Sequence, residues 1–115
     1  PKKIAPEQIA EHTLRCLSDT VPASVPGIAF LSGGQGDEDA TVNLNAINVL
    51  ARTMRLPWTL TFSYARALQN QAMKTWAGNP ATLEAARRQF LHRARCNSAA
   101  SRGAYRPEME QEKAA

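Results

Sequence analysis

No uninterrupted apolar run in this sequence is longer than Ile28–Leu31, with Val49–Ala51 next, and both fall far short of a bilayer-spanning helix. Cysteine is scarce. Cys16 and Cys96 stand far apart, with no CxxC motif, and neither is read as one of a Cys/His pair, so a disulfide framework and a zinc site are both unexpected. Both thiols are expected reduced, cytoplasmic and filling gaps in the packing. The only histidines, His12 and His92, stand apart and are expected at the surface. Aromatic residues make up 6% of the chain, too few to interleave a basic surface with stacking platforms. Pro1, Lys2 and Lys3 lead into an ordinary amphipathic stretch and do not read as a secretory signal.

What remains is the composition of one small folded unit, residues 1–115, with 43% hydrophobic residues. The 14 Lys+Arg against 10 Asp+Glu give a net charge of +4. The excess is concentrated: Arg87, Arg88, Arg93, Arg95, Arg102 and Arg106 face a single acid, Glu84, between Leu83 and Arg106. Such a stripe suits nucleic acid, anionic lipid or phosphorylated metabolites, or is simply a solvated helix face. A small basic nucleic-acid-binding module is therefore one reading. No nucleic-acid-binding motif accompanies the stripe, which makes that partner the weaker choice.

Periodicity predicts α/β order. A helix over 6–21 opens with Pro6 and carries Ala10, Leu14, Leu17 and Val21 on one face. Pro22, Pro26 and Gly27 stop it, and Ile28–Leu31 reads as a strand covered on both faces. A helix over 37–51 follows, with acids in its first turn and Ala40, Leu44, Ile47 and Leu50 inward. The alternation of residues 59–63 predicts a second strand, with Leu60 and Phe62 opposite Thr59, Thr61 and Ser63. Helices over 64–77 and 80–104 come next, the latter facing inward with Leu83, Ala86, Phe90 and Ala94. A frayed polar tail is expected over 107–115. Strands alternating with helices indicate parallel βαβ units. Two strands leave edges and a face bare, so the functional unit is expected to exceed this chain.

Chemistry in α/β folds sits on the loops after the strands. Here those are Ser32-Gly33-Gly34 and Ser63-Tyr64-Ala65-Arg66. Glycines let main-chain N–H groups approach an anion, and a helix N-terminus adds positive partial charge. A cation at Arg66, in the first helical turn, opposes the macrodipole by about 0.3–1 kcal/mol unless an anion lies between them. Its forked guanidinium suits a phosphate. Leu31-Ser32-Gly33-Gly34-Gln35 also matches the signature of ATP-binding-cassette ATPases. No GxxxxGK[ST] loop accompanies it, and acids follow where that family carries Gln-Arg.

The blocks Thr20-Val21-Pro22, Phe30-Leu31-Ser32-Gly33-Gly34-Gln35, Asp39 through Asn48, Pro57-Trp58, Leu60 through Gln69 and Trp76-Ala77-Gly78-Asn79 stand in order over about Ile4–Tyr105. Together they closely resemble the C-terminal third of class I fructose-1,6-bisphosphate aldolase. The resemblance implies the last two βα units of a (β/α)8 TIM barrel with flanking helices. It implies reversible cleavage of a phosphorylated sugar to dihydroxyacetone phosphate and glyceraldehyde 3-phosphate, without cofactor or metal. It also implies a cytoplasmic homotetramer whose remaining barrel is a necessary partner. In the family the dihydroxyacetone phosphate group is held by residues matching Ser32, Gly33 and Arg66, plus a glycine that falls at Ala65. Ser63 matches a serine close to the reacting centre.

Three departures qualify the likeness. Ala65 replaces the family glycine and fits only where the backbone tolerates a Cβ. The chain closes Glu112-Lys113-Ala114-Ala115, without the family's terminal tyrosine, so tail-dependent proton transfer is not carried over. The Schiff-base lysine matches nothing here: Lys2, Lys3, Lys74 and Lys113 all lie away from strand ends. Alone, the chain is expected to be inactive, a phosphate clamp without its nucleophile; a truncated, non-catalytic relative is the alternative.

Overall fold

The computed structural model describes residues 3–112; Lys2 and Lys113, and residues 113–115 of the expected tail, lie outside them. Helix α1 spans Pro6–Thr20, with Pro6 in the first turn where its missing N–H costs no helical bond. Strand β1 is Gly27–Phe30, α2 is Asp37–Ala51 and β2 is Thr59–Phe62. Helix α3 is Arg66–Trp76, and α4 is Leu83–Ala100, preceded by a 3-10 turn over Pro80–Thr82 and followed by another over Pro107–Gln111.

β1 and β2 pair in parallel, with Gly27 opposite Thr59 and Phe30 opposite Phe62. Ile28, Phe30, Leu60 and Phe62 face the helices. Ala29 and Thr59 lie exposed on the other side, so the expectation of a strand covered on both faces does not hold. α2 is the central support. Its Ile47 packs with Ala10 and Leu14 of α1, Leu44 with Cys96, Ala99 and Ala100 of α4, and Ala40 with Tyr64 and Ala67. Phe30 touches all three clusters.

Several boundaries differ from the sequence expectation. Leu31 leaves the ladder and is 74% exposed, while Ser63 stays tied to β1 only through its N–H, which donates to the Phe30 carbonyl at 2.8 Å. α3 starts at Arg66 rather than residue 64, because Tyr64 turns inward instead of joining the helix. It ends on Ala77 with φ 48°, followed by Gly78. The last helix breaks into a 3-10 turn and α4, with Asn79 accepting from the Ala81 N–H at 2.9 Å, and it ends at Ala100. Its inward face differs in part. Ala86 is buried as expected, but Leu83 and Phe90 are 38% and 41% exposed, and Arg93, Cys96 and Asn97 are buried as well. Cys16 is exposed and fills no gap.

One interaction takes Arg93 out of the basic stripe, whose other five arginines stay exposed, and orders the expected frayed tail over Pro107–Gln111. Arg93 points inward and grips Glu110 with both guanidinium nitrogens, at 2.9 and 2.7 Å. Tyr105 donates to the same carboxylate at 2.7 Å, and Arg93 also donates to Thr41 Oγ1 at 3.1 Å. Glu110 therefore latches the 3-10 turn over Pro107–Gln111 onto α4 and α2. Bidentate geometry and further hydrogen bonds are what a buried ion pair needs to offset its desolvation.

Burial alone would push the Glu110 carboxyl up, but hydrogen bonds from Arg93 and Tyr105 and the charge of Arg93 outweigh it and hold the group below the usual carboxylate range. Its stabilisation is complete above the unfolded carboxylate value of about 4.3 and is lost as pH falls through the lower folded value. Glu110→Ala is expected to destabilise the fold by about 3 kcal/mol in urea unfolding at neutral pH, since it strands a buried guanidinium. Thermal midpoints between about pH 6 and pH 3 should fall more steeply in the parent than in Glu110→Gln.

Candidate anion site

Parallel pairing brings the loops after β1 and β2 to the same end of the sheet, each leading into a helix N-terminus. The first loop is a tight turn. The Ser32 carbonyl accepts from the Gln35 main-chain N–H at 3.0 Å and from the Gln35 amide at 2.8 Å, and Asn43 of α2 holds Gln35 in turn at 2.6 Å. Gly33 and Gly34 have φ of 59° and 85°, angles that glycine adopts without a Cβ penalty. A Cβ built on either meets nothing within 4 Å, so the backbone angle, not space, calls for glycine, and an approaching ligand has room beside both residues. Ser32 itself is buried at the base of the turn.

The second loop is fixed by Tyr64, which sequence reasoning passed over. Its ring is buried against Ala40, Ala67 and Phe62, and its hydroxyl donates to the Ala40 carbonyl at 2.9 Å. Burial pushes this phenol up to about 12, so it remains a neutral donor at physiological pH. Asn70 of α3 adds a bond of 3.0 Å to Asp37 at the start of α2. The two helix N-termini are thus tied together through Tyr64 and Asn70. The signal was present in the sequence, since Leu60, Phe62 and Tyr64 continue one alternation beyond the strand.

Ala65 precedes α3 with φ −107°, outside the left-handed region, so its Cβ introduces none of the strain that a glycine position raises as a concern. Its carbonyl accepts from Leu68 and Gln69, starting the helix, and no side chain caps the first turn. The contrast between the two helices is informative. α2 has Asp37, Glu38 and Asp39 against its positive end, whereas α3 has no acid in its first turn and carries Arg66 there instead. Arg66 is exposed and, among the described residues, makes no side-chain hydrogen bond or salt bridge. An uncapped helix end and an unpaired guanidinium face the same solvent, and an anion would satisfy both. Ser63 is exposed at the adjoining end of β2.

Sequence reasoning therefore identified Ser32, Gly33, Ser63, Ala65 and Arg66 as residues the fold brings to one end. The lysines among the described residues offer no nucleophile there: Lys3 is exposed and bonded to Asp39 at 2.7 Å, and Lys74 is exposed on α3. One expectation is corrected. The histidines are not both isolated, because His92 lies 16% exposed beside Glu110 and Cys96. His12 is exposed as expected.

A family model described as fructose-bisphosphate aldolase class-I matches residues 1–115. The chain is 54% identical over 104 residues to cytosolic fructose-bisphosphate aldolase 4 of Arabidopsis thaliana, covering 90% of this chain and 26% of that protein. It is 52% identical over 105 residues to fructose-bisphosphate aldolase of Dictyostelium discoideum, covering 91% and 29%. The solved structure of Plasmodium falciparum fructose-bisphosphate aldolase, in complex with TRAP and a small-molecule inhibitor, superimposes with a TM-score of 0.85 at 46% identity. That match covers 91% of this chain and 29% of the solved one. The chain thus spans under a third of the length of these relatives.

Tyr64→Phe keeps the ring but leaves the loop without its tie to α2. The expected cost is about 1 kcal/mol in denaturant unfolding, with faster amide hydrogen exchange at Ala65–Leu68. Unchanged exchange there would show that the hydroxyl does not hold the loop.

Proposed function

The chain belongs to the class I fructose-bisphosphate aldolase family, and on that premise we propose that it forms the phosphate-binding end of an aldolase that cleaves fructose 1,6-bisphosphate reversibly to dihydroxyacetone phosphate and glyceraldehyde 3-phosphate. The observation that carries this reading is the uncompensated N-terminus of α3, with Arg66 unpaired beside it. Ser32, the Gly33 N–H, the Ala65 N–H and the Arg66 guanidinium would hold the phosphate of the dihydroxyacetone half. Ser63 would lie toward the reacting carbons.

The two βα units are the seventh and eighth of an eight-stranded barrel, and the remaining barrel is the partner that completes the site. The sheet supports this: helices cover one face, and Ala29 and Thr59 leave the other open, as strands lining a barrel interior would. The nucleophilic lysine comes from that remainder. Grip on a phosphate that does not react holds the carbonyl against the lysine, so binding energy spent at Arg66 lowers the barrier at a distance. We place the protein in the cytosol, as a homotetramer. The nucleic-acid reading is disfavoured by the family match, and Arg93, within the basic stripe, is buried and paired with Glu110.

In the whole enzyme, Arg66→Ala should lower kcat/KM for fructose 1,6-bisphosphate by about 100-fold or more, because each charge-assisted hydrogen bond contributes about 1.5–3 kcal/mol. Arg66→Lys should recover only part of the loss. An unchanged kcat/KM would remove Arg66 from the clamp. Borohydride reduction in the presence of dihydroxyacetone phosphate should trap an adduct on a lysine outside residues 1–115. An adduct on Lys3 or Lys74 would overturn the division of labour between clamp and nucleophile.

A further inference from the structure

We propose that His92, Cys96 and Glu110 form a zinc-binding site at the junction of α4 and the 3-10 turn over Pro107–Gln111, away from the residues assigned to the phosphate. His92 and Cys96 are four residues apart on α4 and therefore share one face of the helix. The Glu110 latch brings a carboxylate oxygen to the same point. His92 Nε2 lies 3.4 Å from Glu110 Oε1 and 3.8 Å from Cys96 Sγ, and all three ligand atoms fall within 4.8 Å of one another.

Zinc bonds of about 2.0–2.1 Å to nitrogen, 2.0–2.2 Å to oxygen and 2.3 Å to sulfur, arranged tetrahedrally, set ligand atoms about 3.3–3.7 Å apart. The His92–Glu110 separation already fits. Cys96 Sγ, 3.8 Å from His92 Nε2, lies just beyond that range. A thiolate, an imidazole and a carboxylate are a borderline-soft donor set, suited to zinc rather than magnesium or calcium. His92 and Glu110 keep side-chain exposures of 16% and 12%, which leaves a solvent side for a fourth ligand, a water molecule.

The surroundings hold the carboxylate in place. Tyr105 and Arg93 both donate to Glu110 Oε2, at 2.7 and 2.9 Å, while among the described residues Oε1 accepts from Arg93 Nη2 at 2.7 Å and lies 3.4 Å from His92 Nε2. A carboxylate oxygen has two acceptor positions, so Oε1 can keep the arginine bond and coordinate the ion. Partners of this kind orient metal ligands in many sites. On binding, the Cys96 thiol loses its proton to solvent as the sulfur–zinc bond forms, and His92 coordinates through Nε2 with its proton on Nδ1. An internal contrast exists on α1, where His12 and Cys16 have the same spacing. Both are exposed, and among the described residues no third ligand joins them.

Cobalt(II) titration of the reduced protein carrying this chain tests the site. The expected result is a thiolate-to-cobalt charge-transfer band with the intense visible bands of a tetrahedral ion, displaced by equimolar zinc. Cys96→Ser should abolish that band, His92→Ala should weaken binding at least ~10-fold, and Cys16→Ser should leave both unchanged. Circular dichroism run alongside identifies any variant that fails to fold. For that case, zinc should protect Cys96 of the unmutated protein from alkylation, read by peptide mass spectrometry. No band at millimolar cobalt, a band that survives in folded Cys96→Ser, or no zinc protection of Cys96 would each overturn the proposal.

Discussion

Everything at the candidate anion site depends on two short strands being parallel and in register. Because Phe30 sits opposite Phe62, the chain leaves both strands at the same level, and the loops that follow have no choice of end. An antiparallel pair would have sent Ser32-Gly33 and Arg66 to opposite ends of the sheet. A slip by one residue would have turned Phe62 outward and taken Tyr64 away from Ala40. The geometry of the candidate clamp is thus a consequence of strand pairing before it is a matter of which polar residues the loops contain.

Pairing alone does not hold two strands, and α2 supplies what they lack. It lies against the sheet between α1 and α4, and three buried residues of one face, Ala40, Leu44 and Ile47, each anchor a different cluster. The same helix offers Thr41 and the Ala40 carbonyl as polar anchor points, for Arg93 and Tyr64 respectively. Apolar burial on this helix sets the position of α1 and α4. Its hydrogen bonds set the position of the second loop and of the last 3-10 turn. The open face of the sheet is the complement of this arrangement, since all the support comes from one side.

The order of elements, the two strands, the inward faces of α1 and α2 and the position of the two loops of the candidate site were legible in the sequence because they rest on local signals. Apolar spacing, turn glycines and strand alternation act over a few residues. What was illegible depends on contacts between distant segments. Nothing near Arg93 shows that its charge is paired, because Glu110 lies beyond the end of α4 and reaches it through a turn. An arginine in a basic run reads as solvent-facing by default, and a polar tail reads as frayed. Both defaults fail together, since each residue supplies the counter-charge that lets the other be buried. Leu83 and Phe90 mislead for the opposite reason: helical spacing predicted their burial, yet they line an open groove against Met73 and Trp76 of α3 and stay about 40% exposed. The spacing of His92 and Cys96 was visible throughout, but it acquires meaning only when Glu110 folds back over it.

The polar connections around Arg93 also govern how substitutions combine. Thr41 Oγ1 lies 3.1 Å from the Asp37 carbonyl in the first turn of α2 and 2.6 Å from Asn97, and it accepts from Arg93, which holds Glu110 and, through it, Tyr105. Groups joined in this way do not make separable contributions, since the first deletion strands its neighbours and later ones remove what is already stranded. Epistasis in this part of the sequence should therefore be strong and favourable in sign: paired losses at Arg93 and Glu110 are tolerated better than their single effects add up to. Divergence at these positions would then proceed by joint replacement.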